Sequence, residues 1–362
     1  MNTDRVFSPW PVKRKSVAAL TPDERASYAR AVRGLKSAPS QMTPATHSRY
    51  DDYVLVHMLS MNQIDYTGGI PVQNSNIKVA TTPRSPMWAH EGPQFLAWHR
   101  EFLRHFERDL QGQLGQDPVP SGYLPGIPFW DWSVNSGTGE APWLDDFMGS
   151  NGGPNGAVGS GPFAGNGNWP ITLSNDLADH LIRSFGTYTE GSPSWTASHL
   201  PTSDDVKQSL AEDVFDVPPW QRSAQERSFC NQLEGFYRPA SAPGPPAPQI
   251  GMHNLVHLWV GGNDGAMIQA SSPNDPVFFL HHSNIDRLWA VWQRQHPRAA
   301  PYLPAVPTNG TFALHDQLIF TQSKTISPTS PFSDPWLDPP ATPAQVVSHL
   351  ALNYFFEDTE AY

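Results

Sequence analysis

The 362-residue sequence predicts a mainly α protein whose helices are joined by long loops rich in proline and glycine. Apolar residues recur at helical spacing in several segments, and histidines lie within those segments. The chain contains 38 prolines, about twice the usual share of roughly 5%, and they are spread along its whole length. Long ordered loops between helices explain this distribution better than a disordered tail does.

The first two helices are predicted from their ends and faces. Thr21 is placed to cap the first helix, with Pro22 at its first position and Glu24 where the acid of a capping box belongs. The second helix covers about residues 49–61 and includes His57. Because apolar residues occupy most of its faces, we expect this helix to be buried.

Four later segments are also predicted to be helical. Residues 89–111 repeat phenylalanine and leucine at helical spacing, and His99 shares their core-facing side. Residues 136–168, by contrast, are rich in glycine and fit neither a helix nor a strand, which is typical of a functional or flexible loop. The other predicted helices cover residues 223–238, 252–262 and 275–295.

Composition argues against several classes of protein. The net charge of -11 and the lack of any basic run longer than VKRKS disfavour nucleic-acid and anionic-membrane partners. A single cysteine, Cys230, excludes an internal disulfide framework and a cysteine-based zinc site. The first residues lack the apolar segment of a signal peptide, and no stretch approaches the roughly 18 apolar residues of a membrane span. We therefore expect a cytoplasmic protein, unless a partner exports it.

Histidines in apolar helical segments form two groups of three. His253 and His257 are four residues apart, so their rings project from one helix face, as in helices that present two imidazoles to one metal. The pair alone is a weak signal, because two polar residues on a helix rim have the same spacing. Its apolar surroundings strengthen the signal, since an unpaired polar group in a core is costly. His57, His90 and His99 repeat the arrangement upstream.

Two adjacent histidines, His281 and His282, compete for the third place in the second group. Neighbouring helix positions point about 100° apart, so both cannot serve one site equally well. Imidazole ligands favour copper, zinc, iron or nickel over magnesium, calcium or manganese. No carboxylate lies at a bridging position, which favours an anionic bridge such as peroxide and the low-charge Cu(I) state. Two copper ions supply the two electrons that reduce O₂ to peroxide.

Several segments, in the same order, resemble a known family. HEGPQFLAWHREFLRHFE (residues 90–107) is similar to the first copper-binding signature of tyrosinases, catechol oxidases and haemocyanins. MHNLVHLWVGG with SPNDPVFFLHHSNIDRLW (residues 272–289) is similar to the second. PFWDWS, VGSGPFAGNGNW and LALNYFF resemble other segments of the tyrosinase core, so the similarity covers about residues 12–354. The resemblance implies a four-helix bundle around a dicopper centre, with little β-structure.

The resemblance also implies a single domain and a set of copper ligands. The domain spans residues 1–362, with a core of about residues 12–300 and a proline-rich extension, residues 301–362, packed on it. In the family's paired-histidine motif the second histidine is the ligand, which leaves His281 a structural role. The implied ligands are His57, His90 and His99 for the first copper, and His253, His257 and His282 for the second.

Three further positions are expected to act near the copper ions. Glu234 and Asn254 match the pair that orders a water able to deprotonate a monophenol in tyrosinases. Such a base is useful because a phenol of pKa near 10 must lose its proton before it binds metal. An ordinary surface role is the alternative for Glu234. Asp286, one turn after His282, is expected to accept a hydrogen bond from a ligand imidazole. Because Trp88 stands where fungal and plant relatives often carry a cysteine cross-linked to a copper histidine, no thioether is expected.

The implied activity is the O₂-dependent oxidation of phenols and o-diphenols to o-quinones by a copper enzyme with monophenolase and diphenolase activity. A catechol oxidase or o-aminophenol oxidase without monophenolase activity is the alternative. A haemocyanin-like oxygen carrier is a further one, while a mononuclear zinc hydrolase leaves one histidine group unexplained. Because the chain ends soon after Tyr354, we expect the C-terminal lid domain of latent relatives to be absent, either removed by processing or never present. A separate lid or copper-delivery partner stays open, and the sequence indicates no oligomeric state.

Overall fold

Helices dominate the regular structure in the computed structural model, which confirms the mainly α prediction. The structure describes residues 10–359 except 44, 62–69, 72–77, 80–86, 115–123, 166, 175–178, 192–194, 222–223, 225, 237–250, 308–311 and 322–340. Within these ranges the α-helices are α1 (Pro22–Ser37), α2 (Arg49–Ser60), α3 (Gln94–Leu114), α4 (Ser203–Leu210), α5 (Phe229–Glu234), α6 (Met252–Gly261), α7 (Val277–Gln295) and α8 (Pro343–Val346). None of these helices is long and apolar enough to cross a membrane.

The strands are short and form small sheets. Among the described residues they are β1 (Val12–Arg14), β2 (Ile70–Pro71), β3 (Lys78–Val79), β4 (Leu124–Pro125), β5 (Thr189–Glu190), β6 (Trp195–Thr196) and β7 (Tyr354–Phe356). β1 pairs in parallel with both β4 and β7, giving the order β4-β1-β7. Two two-stranded antiparallel sheets, β2-β3 and β5-β6, complete the described β-structure.

The N-terminus of α1 forms as its sequence predicts. The Thr21 side chain accepts a hydrogen bond from the Glu24 backbone N–H, and the Glu24 carboxylate accepts one from the Thr21 backbone N–H at 2.8 Å. Pro22 is the first helical residue. Each interaction satisfies a backbone donor that the first helical turn leaves unpaired.

Two helices depart from their predicted ends by more than two residues, each beside a residue that disfavours helical geometry. α3 begins at Gln94 rather than near residue 89, because Pro93 lacks a backbone N–H and Glu91 has a positive φ of 61°. His90 therefore lies in a loop. α5 covers only Phe229–Glu234 of the predicted residues 223–238, and Gly235, with φ 100°, ends it. Residues 223, 225 and 237–238 of that prediction lie outside the described residues.

Aromatic side chains pack between α3 and α7 and fix their relative positions. The rings of Phe106 and Phe279 stack with centroids 3.5 Å apart. Those of Phe102 and Phe279 are also parallel, at 6.0 Å. Every residue of α2 is buried beside this cluster, which confirms the burial predicted for the second helix. This packing brings the histidine-bearing faces of α2, α3 and α7 together.

Candidate metal centre

Two groups of histidines meet in the core between α2, α3, α6 and α7. Within each group the nitrogen atoms available to a metal all lie within 4.8 Å of one another. His257 is partly buried, and the other members are buried. The first group contains His57, His90 and His99, and the second contains His253, His257, His281 and His282.

Backbone carbonyls orient the first group. Nδ1 of His57 lies 2.6 Å from the carbonyl oxygen of Ala270, and Nδ1 of His99 lies 2.8 Å from that of Phe95. A carbonyl can only accept, so each Nδ1 carries the proton and each Nε2 carries a lone pair. Nε2 of His57 lies 3.3 Å from Nε2 of His90. Nε2 of His99 is buried and has no hydrogen-bond partner among the described residues.

The same orientation recurs in the second group. Nδ1 of His257 lies 2.5 Å from the carbonyl oxygen of Met267, and Nδ1 of His253 lies 2.9 Å from Oδ1 of Asn254. Nε2 of His257 is 3.4 Å from Nε2 of His282. Nε2 of His253 is buried and lacks a partner within the described part of the chain. Lone pairs thus converge in this group as well.

His281 differs from the other histidines in its hydrogen bonding. The indole Nε1 of Trp132 donates to Nδ1 of His281 at 3.1 Å. Because an indole N–H is a donor only, Nδ1 of His281 carries the lone pair and the neutral ring carries its proton on Nε2. His281 is therefore held in the tautomer opposite to that of His57, His99 and His257.

The two groups are adjacent. The rings of His99 and His282 stack with centroids 4.2 Å apart and an interplanar angle of 10°. The rings of His90 and His253 lie 5.5 Å apart. Four helices and the loop that carries His90 therefore place both groups against one another, as a site for two neighbouring metal ions requires.

Burial keeps these imidazoles neutral. Desolvation is the largest cause that lowers the pKa of His57 to about 3 and that of His257 to about 4. Burial, together with neighbouring histidines, lowers the pKa values of the remaining members well below the ordinary value of 6.5. Neutral imidazole is the form that binds a metal. Converging lone pairs and buried, unpartnered Nε2 atoms both fit a pair of copper ions.

The expectation for Asp286 is wrong. Its carboxylate accepts hydrogen bonds from Arg14 at 2.7 Å, Arg100 at 2.5 Å and the Tyr354 hydroxyl at 2.5 Å, and none from a histidine. Although burial alone raises the pKa of Asp286, Arg100 and Arg14 hold it below the ordinary value. The two buried arginines therefore bind this carboxylate, although Asp286 lies only one turn away from His282 on α7.

Glu234 and Asn254 each contact a histidine. Glu234 ends α5 and is buried, so it is not a surface residue. Its Oε1 accepts a hydrogen bond from the backbone N–H of Glu91 at 2.7 Å and lies 3.5 Å from Nδ1 of His90. Asn254 follows His253 on α6 and holds Nδ1 of that ring through its side-chain oxygen.

A cavity of about 280 Å³ opens onto both histidine groups. Among its lining residues are His57, His90, His253 and His257, together with Asn254. Its volume lies just below the range of about 300–1,000 Å³ that is usual for small-molecule sites, which suits a compact ligand. The apolar part of its described lining includes Met61, Met87, Phe236, Leu258, Met267 and Ile268.

The residues that orient the rings could not all be found in the sequence. Phe95, Met267 and Ala270 act through backbone carbonyls, which every residue has, so their side chains carry no signal. Trp132 lies in PFWDWS, a segment that the resemblance marks, but nothing in its sequence context indicates its contact with His281.

Comparisons with known proteins agree on one family. Residues 47–295 match the family model described as the common central domain of tyrosinase. The chain is 34% identical to a tyrosinase of Streptomyces glaucescens over 346 residues, which cover 95% of this chain and 98% of that protein. It is also 34% identical over 317 residues to grixazone synthase of Streptomyces griseus subsp. griseus, covering 82% of this chain and 88% of that protein.

Solved structures show the same fold at lower identity. A variant of the polyphenol oxidase from Thermothelomyces thermophila has a TM-score of 0.55 at 22% identity, with 96% of this chain and 89% of that chain covered. Deoxygenated hemocyanin from Rapana thomasiana has a TM-score of 0.50 at 20% identity, with 97% and 70% covered. At these identities, both similarities show a shared fold.

The fold and the paired histidine groups define a type-3 copper protein with two copper ions. The chain belongs to the tyrosinase family. It is a copper-dependent phenol oxidase of the tyrosinase and polyphenol oxidase class.

Proposed function

We propose that this enzyme oxidises both monophenols and o-diphenols to o-quinones with O₂, at two coppers that each bind three histidines. The observation that carries the proposal is the convergence of neutral imidazoles from two adjacent groups, with His99 and His282 stacked 4.2 Å apart. The proposed ligands are His57, His90 and His99 for one copper and His253, His257 and His282 for the other.

The choice of His282 over His281 rests on the position of a proton. Nε2 of His282 faces Nε2 of His257 at 3.4 Å. His281 has Nδ1 engaged by Trp132 and its proton on Nε2, so neither nitrogen offers a lone pair. When bound at these histidines, the copper ions would supply the electrons that reduce O₂, and as Lewis acids they would attract the phenolic oxygen.

The chain's own residues prepare the phenol. With its side-chain oxygen engaged by His253, Asn254 can offer its amide NH₂ to a water, and it lines the cavity. Glu234 lies next to His90, another lining residue, and we propose that its carboxylate receives the phenolic proton through that water. Its 3.5 Å approach to His90 Nδ1 also supports the orientation of that ring. The small, apolar cavity favours a single-ring phenol without a large polar substituent.

Glu234→Gln tests this role. We expect kcat/KM for a monophenol to fall by about 10²–10⁴-fold, because general-base assistance is lost. The value for the matching o-diphenol should fall much less, since its second hydroxyl is a further donor to the metal and lessens the need for the base. The measurement is the ratio of the two kcat/KM values at equal copper content.

Glu101→Gln is the matched control. Glu101 is a buried carboxylate on α3 that binds Arg104 and His105 and contacts neither histidine group. An unchanged ratio in Glu234→Gln would rule out Glu234 as the base.

Absence of monophenol turnover in the wild-type enzyme would instead establish a catechol or o-aminophenol oxidase, the second candidate. A tyrosinase and grixazone synthase are each 34% identical to this chain, so sequence identity does not decide between the two candidate functions.

The comparisons favour an oxidase over a haemocyanin-like oxygen carrier, because the chain is 34% identical to a tyrosinase over 95% of its length and only 20% identical to a hemocyanin of similar fold. Turnover of a catechol under air tests this distinction, because a carrier binds O₂ without consuming the phenol.

A further inference from the structure

His281 lies close enough to the second histidine group to be a ligand. One of its ring nitrogens is within 4.8 Å of the available nitrogens of His253, His257 and His282. Its ring stacks on that of His253, with centroids 5.2 Å apart and an interplanar angle of 19°. Distance therefore does not limit this group to three ligands, and some other feature must do so.

The position of the proton on His281 limits the second group to three ligands. Trp132 and His281 are both fully buried, so no water competes for their hydrogen bond at 3.1 Å. The indole N–H occupies the Nδ1 lone pair, and the proton of the neutral ring then occupies Nε2. As long as this bond persists, His281 has no lone pair to give to a metal.

We propose that Trp132 is a positioning residue that prevents His281 from binding copper and so restricts the second copper to three histidines. The inference rests on the proposed ligand set. A fourth imidazole would fill the coordination position that O₂ and the phenol need, as catalytic metal sites in general keep one position open. Trp132 acts through His281 and does not touch the substrate.

The first test locates the proton in the copper-free protein. With ¹⁵N-labelled histidine, two-bond ¹H–¹⁵N couplings distinguish a ring protonated on Nε2 from one protonated on Nδ1. The His281 signals are assigned by their loss in His281→Gln, whose side-chain oxygen can still accept the indole N–H. We expect His281 of the wild-type protein to carry its proton on Nε2 alone. A proton on Nδ1 overturns the proposal, and this measurement requires no change at Trp132.

The second test uses copper binding in combined variants. His282→Ala should lower the copper content from two ions to about one per chain. Adding Trp132→Phe frees His281 to take the vacant place, so the second copper should bind roughly tenfold or more tightly than in His282→Ala, a change typical of residues that orient ligands. Copper affinity is measured by competition with a chelator. A folded double variant with the affinity of His282→Ala overturns the proposal.

A matched control separates the hydrogen bond from the loss of an indole. Trp143 is a buried tryptophan whose Nε1 has no hydrogen-bond partner among the described residues. Trp143→Phe combined with His282→Ala should not restore the second copper. A His282→Ala variant that keeps both ions contradicts the proposed ligand set, whereas a proton on Nδ1 of His281 contradicts the role of Trp132. The two failures therefore give different signals.

Discussion

Carbonyl oxygens of Phe95, Met267 and Ala270 hold three of the proposed ligands in one tautomer. Met267 and Ala270 belong to the same connection between α6 and α7, yet they orient histidines of different groups. One short segment therefore supports both halves of the copper centre. Asn254 orients His253 in the same way but through its side chain, so a substitution can remove this acceptor.

Asn254→Ala should weaken the binding of the second copper. Without Oδ1, Nδ1 of His253 loses its acceptor at 2.9 Å, and the ring is free to rotate or to change tautomer. Loss of such a partner typically costs about 10–100-fold in metal affinity. Chelator competition measures this change. Asn263→Ala, which removes surface hydrogen bonds to the backbone of Thr189, is the control and should leave copper affinity unchanged.

The histidines could be recognised in the sequence because their spacing and apolar surroundings are local properties. Which atoms hold them could not, because carbonyl contacts depend on the packing of distant segments. Asp286 shows the limit most clearly. Its position one turn after His282 suggests a ligand partner, but Arg14 and Arg100 arrive from remote parts of the chain and bind it. The spacing between Asp286 and His282 in the sequence carries no information about these two arginines.

Among the helices, the predicted ends of α2, α6 and α7 lie within two residues of the observed ends, whereas those of α3 and α5 deviate further. The capping box places the start of α1 correctly. The predictions run past the observed start of α3 and past both ends of α5, and the backbone geometry at Glu91 and Gly235 sets the start of α3 and the end of α5. These two deviations matter for function, because they place His90 in a loop and Glu234 at a helix end, where the two side chains meet.

Gly235→Ala should therefore affect both stability and the proposed base. Gly235 has φ 100°, and a Cβ there would lie 2.4 Å from the carbonyl oxygen of Gly251, just before α6. A left-handed non-glycine residue costs about 1–3 kcal/mol, and the clash should push α5 away from α6. We expect a lower free energy of unfolding in urea and a lower ratio of monophenol to o-diphenol kcat/KM, because Glu234 moves.

Gly112→Ala is the matched control for that variant. Gly112 lies in α3, and a Cβ there meets nothing within 4 Å. Alanine in a helix is favoured over glycine by roughly 0.5–1 kcal/mol, so this change should stabilise the protein and leave the substrate ratio unchanged. If Gly235→Ala left both the free energy of unfolding and the substrate ratio unchanged, the close approach of α5 and α6 would not position Glu234.

Across the whole molecule, a buried charged cluster joins the two ends of the described chain. Arg14 on β1 binds Glu107 on α3 at 2.8 Å and Asp286 on α7 at 2.7 Å, and its guanidinium lies 3.9 Å from the ring centre of Tyr354 on β7. The strands β1, β4 and β7 are two or three residues long. Strands of this length are too short to show an alternation of apolar and polar residues, so their pairing could not be predicted from the sequence.

The buried histidines give the copper-free protein a characteristic pH dependence. Burial lowers the pKa of His57 to about 3, whereas the unfolded chain keeps the ordinary value near 6.5. Between these values the unfolded state binds more protons than the folded state, so the folded state loses stability as pH falls. The other members of both groups shift in the same direction. Above about pH 6.5 these groups contribute no slope.

We therefore expect the free energy of unfolding of the copper-free protein, measured in urea, to fall steeply below about pH 6.5. One histidine contributes at most about 1.4 kcal/mol per pH unit, so His57→Gln should reduce the slope between pH 6 and pH 4 by up to that amount. Asn263→Ala, a surface substitution that changes no titratable group, is the control and should keep the wild-type slope. An equal slope in wild type and His57→Gln would contradict the neutral, buried state of His57 on which its readiness to bind copper depends.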